Sequence, residues 1–164
     1  MNNPFYEEKL TCTGFIVILG ASTLLMIYLL VLQVVGVSIG GDPDPIWIQV
    51  VTTLLLLGAT VNSWRLVIRI TSQAMTVRLG VFHETVPLDK IMGCARDTVS
   101  WIRYGGFGVR RAIIYNKRRR IYNTIGVPRV VISLRGYKFH EIAFSTQEPE
   151  RICAVVAQIL ADRR

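Results

Sequence analysis

Two long apolar runs near the start of the chain constrain everything that follows. Residues 14–37 contain no charged side chain, and Gln33 is their only strongly polar residue. As a helix rising ~1.5 Å per residue, that run reaches roughly 36 Å, enough to cross a hydrocarbon layer of ~30 Å with some tilt. Residues 46–64 are also uncharged and would reach about 28 Å. Between them lies the Gly/Pro-rich break Ser38-Ile39-Gly40-Gly41-Asp42-Pro43-Asp44-Pro45. The expected unit is a two-helix transmembrane hairpin within residues 1–64, followed by a water-soluble domain over 65–164.

Charge sets the expected orientation. Before Arg65 the chain has Lys9 against Glu7, Glu8, Asp42 and Asp44; from Arg65 onward it has 18 basic and 7 acidic residues. The loop between the runs lacks Lys and Arg, while Lys9, Arg65 and Arg69 flank their other ends. The positive-inside rule then puts both termini and the C-terminal domain on the cytoplasmic side of a cell (inner) membrane. Trp47 and Trp64 bracket the second run, and with Arg65 they are the expected membrane-interface anchors. A cleaved signal peptide fits less well: the first run exceeds a ~7–15-residue signal core, and no small-residue cleavage pattern follows. Cys12, Cys94 and Cys153 are too few and too scattered to frame a disulfide scaffold, so reduced packing thiols are expected. Small residues such as Gly14, Gly20 and Gly58 are the expected helix-packing contacts.

After Trp64 the pattern changes to alternation. Leu66, Ile68 and Ile70 predict one strand and Met75, Val77 and Leu79 another, with a turn over Thr71-Ser72-Gln73. Extended segments over His83–Pro87 and Ile91–Thr98 read as a pair about Leu88-Asp89-Lys90. A Gly-rich aromatic connection, Trp101–Gly108, precedes strands at Val109–Tyr115 and Ile121–Ile125, with Lys117-Arg118-Arg119-Arg120 at the tip of their hairpin. Strands at Val130–Arg135 and Phe139–Phe144 follow. Pro149 and Glu150 open a terminal helix whose Ile152, Val155, Val156, Ile159 and Leu160 form one apolar face. Residues 1–13 carry no clear element. Roughly seven short strands and a closing helix suggest a small antiparallel barrel or sandwich plugged by that helix.

These segments resemble a known family: bacterial and archaeal membrane proteins with a pleckstrin-homology-like domain after a pair of transmembrane helices. The resemblance rests on the stretch Ile70–Val81 (ITSQAMTVRLGV), on Val86–Ile91 (VPLDKI), on Tyr104–Arg110 (YGGFGVR), on Tyr122–Gly126 (YNTIG) and on Ser145–Glu150 (STQEPE). It covers Arg65 to Leu160 and implies an α+β membrane protein whose seven-stranded antiparallel barrel is capped by a C-terminal helix. It implies little about activity, because the fold hosts many binding roles. The cationic run Lys117–Arg120 departs from the family pattern.

Chemistry-bearing motifs are scarce. His83 and His140 have no companion nucleophile or cysteine pair, and no phosphate-binding, zinc-protease, redox or nucleophile-elbow motif occurs. Tyr104-Gly105-Gly106-Phe107-Gly108 lacks the strand-then-helix setting of a phosphate loop. No enzyme activity, cofactor or metal is therefore expected. The distinctive feature is cationic: Arg110, Arg111, Lys117, Arg118, Arg119 and Arg120 are candidate contacts for an anionic surface, where each basic residue adds about 1 kcal/mol. Trp101, Tyr104 and Phe107 are read as core aromatics rather than a second interfacial contact. Nucleic acid is a weaker explanation of the same charge, since neither a groove-entering helix nor an RNA-binding motif is present. The expected function is a membrane-anchored, non-catalytic binding or scaffolding module, engaging anionic headgroups, a protein partner or further copies of itself. The alternative is an accessory subunit of a larger membrane enzyme or transporter.

Overall fold

A computed structural model describes residues 4–37 and 45–163. Of the Gly/Pro break at 38–45, residues 38–44, and with them the acidic pair of that loop, lie outside the described residues. Helix α1 (Thr13–Val34) has 22 residues and is long and apolar enough to cross a membrane. Helix α2 (Ile46–Asn62) is equally uncharged but has 17 residues, about 26 Å of helix. The two helices pack against each other. The only residues buried on them are Thr23 and Thr53. Each threonine hydroxyl donates to its own helix, to the carbonyls of Leu19 and Gln49. The expected glycine contacts are not used: a Cβ at Gly20 or Gly58 would meet nothing within 4 Å. Gly14 instead packs outside the helix pair, against Ile125.

The residues before α1 form strand β1 (Tyr6–Thr11), contrary to the expectation of an irregular lead. Its Tyr6, Leu10 and Cys12 anchor are buried, so the alternation that makes it a strand is carried by the core side alone. Strand β1 pairs antiparallel with β2 (Arg65–Ile70), Thr11 opposite Arg65. The Cys12 N–H also donates to the Trp64 carbonyl at 3.0 Å. The two helices therefore leave and re-enter one sheet at the same end of two adjacent strands, and a fragment starting at Arg65 would lack β1.

That sheet continues with β3 (Ala74–Leu79) and β4 (Phe82–Pro87) in the order β1-β2-β3-β4. A second sheet holds β5 (Ile91–Arg96), β6 (Gly108–Ile114), β7 (Lys117–Asn123), β8 (Arg129–Leu134) and β9 (Glu141–Ser145), ordered β5-β8-β9-β7-β6. Two sheets of four and five strands thus stand where about seven strands of a barrel were expected. Strands β4 and β5, expected as a pair, belong to different sheets: a 3₁₀ turn at Leu88–Lys90 carries the chain between them. The pair β7·β9 is parallel, the one departure from an antiparallel plan among the described residues.

Ile68, Ile70, Met75 and Val77 from the first sheet meet Tyr122, Ile132, Ile142 and Phe144 from the second in the main core. Helix α3 (Pro149–Ala161) adds Ile152 and Val156, as its apolar face predicts, with Pro149 opening it. At roughly 1.5–3 kcal/mol per buried large apolar side chain, this face is what holds α3 to the sheets. Cys94 of β5 and Cys153 of α3 are joined by a disulfide, which corrects the expectation of free thiols; Cys12 is free and buried. Sequence spacing could not reveal the bond, because 59 residues and two unlike elements separate cysteines whose Cα atoms lie 5.1 Å apart.

Candidate anion-binding surfaces

Strand geometry divides the basic run. Lys117–Arg120 lie within β7, between β6 and β9, so they are not a hairpin tip; the turn is Tyr115-Asn116, both at positive φ. Because side chains alternate across a strand, Lys117 and Arg119 share one face of the sheet and Arg118 and Arg120 the other. The register places Ala112 opposite Arg119 and Arg111 opposite Arg120.

On the outer face, Arg119 is a structural residue. The segment Asp97–Phe107 folds over it, burying Val99 and Tyr104 with Ile114, Ile121, Val131 and Ala143 in a second small core. The Arg119 guanidinium donates to Glu141, Asp97 and the Tyr104 hydroxyl. Arg129 Nε donates to the other Asp97 oxygen at 3.0 Å, and Lys117 Nζ reaches Glu141 at 3.1 Å. The Asp97 and Glu141 side chains are 1% and 7% exposed, so their charges stand in the protein and depend on these cations. Burial alone would raise the Glu141 carboxyl, but the hydrogen bonds from Arg119 and Lys117 outweigh it and hold it below the usual carboxylate range. Burial and the bond to Asp97 push the Tyr104 phenol up. Tyr104 is therefore core, as expected.

Trp101 and Phe107 behave differently. Their rings stack at 5.0 Å, and Phe107 meets Phe15, in the first turn of α1, edge-on at 6.4 Å. Trp101 and Ile102 are exposed, at the end of the sheets where the helices attach. Arg110 sits there too, its Nε donating to the Phe107 carbonyl. From this end β6 runs seven residues away, so the turn at Tyr115-Asn116 and the adjacent Lys117 and Arg118 lie on the order of 20 Å along the strand from the helix base. The six expected basic contacts are thus not one patch: Arg110 is at the helix end, Lys117 and Arg119 serve the internal ion network, and Arg111, Arg118 and Arg120 face the other sheet.

A second cationic feature, missed in the sequence, lies where α2 ends. A cleft of about 610 Å³ is lined by Val61, Asn62, Trp64, Arg65, Arg78 and Val81, among others. The β3–β4 turn closes it: Asn62 Oδ1 accepts the Val81 N–H at 2.8 Å. Gly80 adopts φ +56° there, and a Cβ would meet the Asn62 carbonyl oxygen at 2.0 Å, so only glycine fits. Arg78 Nε donates to the Gly80 carbonyl, which holds its guanidinium at the turn that lines the cleft. Among the described residues neither Arg65 nor Arg78 has a carboxylate within ion-pair distance, while their neighbours Lys9 and Arg69 both approach Glu7. Trp64 and Val81 are exposed beside them, and Trp47 is exposed in the first turn of α2. Arg78 escaped notice because it lies within a strand, and only the pairing of β3 with β2, Arg78 opposite Val67, brings it into one cleft with Arg65.

No group of three or more His, Cys, Asp or Glu side chains suited to a metal occurs among the described residues. His140 Nδ1 accepts the Arg118 N–H, and His83 is exposed on β4. Comparison of the chain with protein-family models, with curated proteins and with solved structures found no match.

Proposed function

We propose that the chain is a membrane-anchored, non-catalytic binding module of the pleckstrin-homology-like kind, with α1 and α2 as a transmembrane hairpin and the two sheets held against the lipid surface. Its ligand in this reading is the phosphate of anionic lipid headgroups, taken in the cleft between α2 and the β2–β3 strands. The observation that carries the reading is that Arg65 and Arg78 line one cleft, both without acidic partners among the described residues, beside Trp64 at the end of an uncharged helix. A headgroup at that depth meets two cations and an aromatic ring that favours the interface. The exposed Trp101, Ile102 and Val81 lie at the same end and extend the contact.

The positive-inside rule favours the cytoplasmic leaflet. The Cys94–Cys153 bond points to the other side, since disulfides persist in oxidising compartments. Headgroup binding by Arg65 and Arg78 holds on either face. The test is native mass spectrometry of the full chain, extracted in mild detergent with a mixture of phosphatidylglycerol and phosphatidylcholine. At about 1 kcal/mol per basic residue, replacing Arg65 and Arg78 by Ala weakens phosphatidylglycerol retention by roughly 30-fold and leaves phosphatidylcholine unchanged. Equal retention of both lipids by the parent chain, or no loss in the double variant, refutes the reading.

A further inference from the structure

The face of the second sheet that looks toward the first is cationic at its β6–β7 end. Arg111 lies opposite Arg120, and Ile113 opposite Arg118. The Arg111 guanidinium is 5.8 Å from the centre of the Phe139 ring, and Lys138 Nζ lies 5.6 Å from the same ring. Arg111, Ile113, Arg118 and Phe139, together with Ala112 and Arg119 of the outer face, line a groove of about 360 Å³ at the strand edge. Lys138 is neutralised by Glu84 at 2.7 Å, but among the described residues Arg111, Arg118 and Arg120 have no carboxylate within ion-pair distance. Behind them, the Arg120 guanidinium lies over the ring of the fully buried Tyr122 at 5.5 Å, and among the described residues its Nε has no hydrogen-bond partner. Three guanidinium groups without carboxylates, one of them with its buried Nε unpaired, form an acceptor-seeking site.

The groove adjoins an open strand edge. Among the described residues β6 is the last strand of its sheet, seven residues long and bonded to β7 alone, with Ile113 and Tyr115 72% and 74% exposed. Proteins usually blunt such an edge, because its free N–H and C=O groups recruit another strand. A second copy fits it poorly: β6 against β6 would set Arg110 and Arg111 of one copy against those of the other, and like charges across a strand pair are destabilising. A strand with acidic residues at every second position fits both features. Its backbone extends the sheet, and its carboxylates fall on the Arg111–Arg118–Arg120 face with the period of two that strands impose.

We propose that β6 and this groove dock an extended acidic segment of a partner protein, which joins the second sheet as a sixth strand. The site faces away from the helix base, so the module engages lipid at one end and a protein at the other. The test uses the full chain in nanodiscs of neutral phosphatidylcholine and a fluorescein-labelled decapeptide of alternating Glu and Thr, read by anisotropy. The expected result is saturable binding that weakens with salt. Binding should fall at least tenfold when Glu is replaced by Gln in the peptide, when alternate peptide nitrogens on its pairing edge are methylated, or in the R111E/R118E variant. R111Q/R118Q serves if circular dichroism shows that the charge-reversed chain does not fold. The proposal is overturned if the decapeptide does not bind, if any of these changes leaves binding intact, or if inorganic tripolyphosphate binds more tightly than the peptide. Phosphatidylglycerol retention by R111E/R118E is measured in parallel and should match the parent, so this proposal and the lipid reading fail separately.

Discussion

Replacing Arg119 by Ala is the sharpest test of how the outer face is held. Arg119 is 6% exposed and donates to Glu141, Asp97 and Tyr104 at once. Its removal leaves two carboxylates in place at 7% and 1% exposure. Breaking one partner from a buried pair costs about 3–5 kcal/mol, because the survivor keeps its charge without its compensation. Lys117 still reaches Glu141 and Arg129 still reaches Asp97, which places the expected loss near 3 kcal/mol. Against a total stability of about 5–15 kcal/mol, such a loss is readily measured. Urea unfolding of the full chain in detergent, followed by near-ultraviolet circular dichroism, gives the value. A cycle of R119A, E141A and the double variant then isolates their coupling, expected within about 0.5–3 kcal/mol. A loss under about 1 kcal/mol for R119A, with no coupling to Glu141, would show that the Asp97–Phe107 segment is held by its apolar contacts alone and would refute the reasoning.

The same network predicts a pH response. Glu141 has a folded pKa below its unfolded value of about 4.3, so its contribution is complete above that pH and is lost as pH falls through the folded pKa. The stability advantage of the parent over E141Q should therefore be constant near neutrality and shrink below about pH 4; an advantage unchanged down to pH 3 would contradict it. The disulfide predicts that, after denaturation under non-reducing conditions, maleimide-polyethylene glycol labels Cys12 alone, and that reduction adds Cys94 and Cys153. Closing a loop of this length stabilises the fold by up to about 4 kcal/mol in the chain-entropy treatment, so dithiothreitol should lower the unfolding midpoint. Three labelled cysteines in freshly extracted native membranes would show that the bond does not form there.

Much of the secondary structure was legible because one buried face imposes a period. Leu66, Ile68 and Ile70 marked β2, Met75, Val77 and Leu79 marked β3, and Ile152, Val155 and Val156 marked the inward face of α3. Uncharged length likewise announced α1. Strand β1 was illegible because Glu7, Glu8 and Lys9 sit among its apolar residues, and its partner β2 lies beyond both helices. The run Lys117–Arg120 looked like a loop tip because four cations seldom occupy an interior strand. It is tolerated there because Glu141 and Asp97, distant in sequence, meet Arg119 and Lys117 on one face, while the other face opens into a groove.

The sequence by itself determined which segments are apolar throughout, which alternate, and that the chain after Trp64 is strongly basic. Only the tertiary structure decided which of those basic residues are neutralised and which are not. Charge density is a property of composition, but the compensation of a charge depends on partners within a few ångströms, and strand pairing chooses those partners. That choice brought Arg78 into one cleft with Arg65 at the helix end, sealed Arg119 under Tyr104, and left Arg111, Arg118 and Arg120 without carboxylates among the described residues, on the sheet face beside the β6 edge.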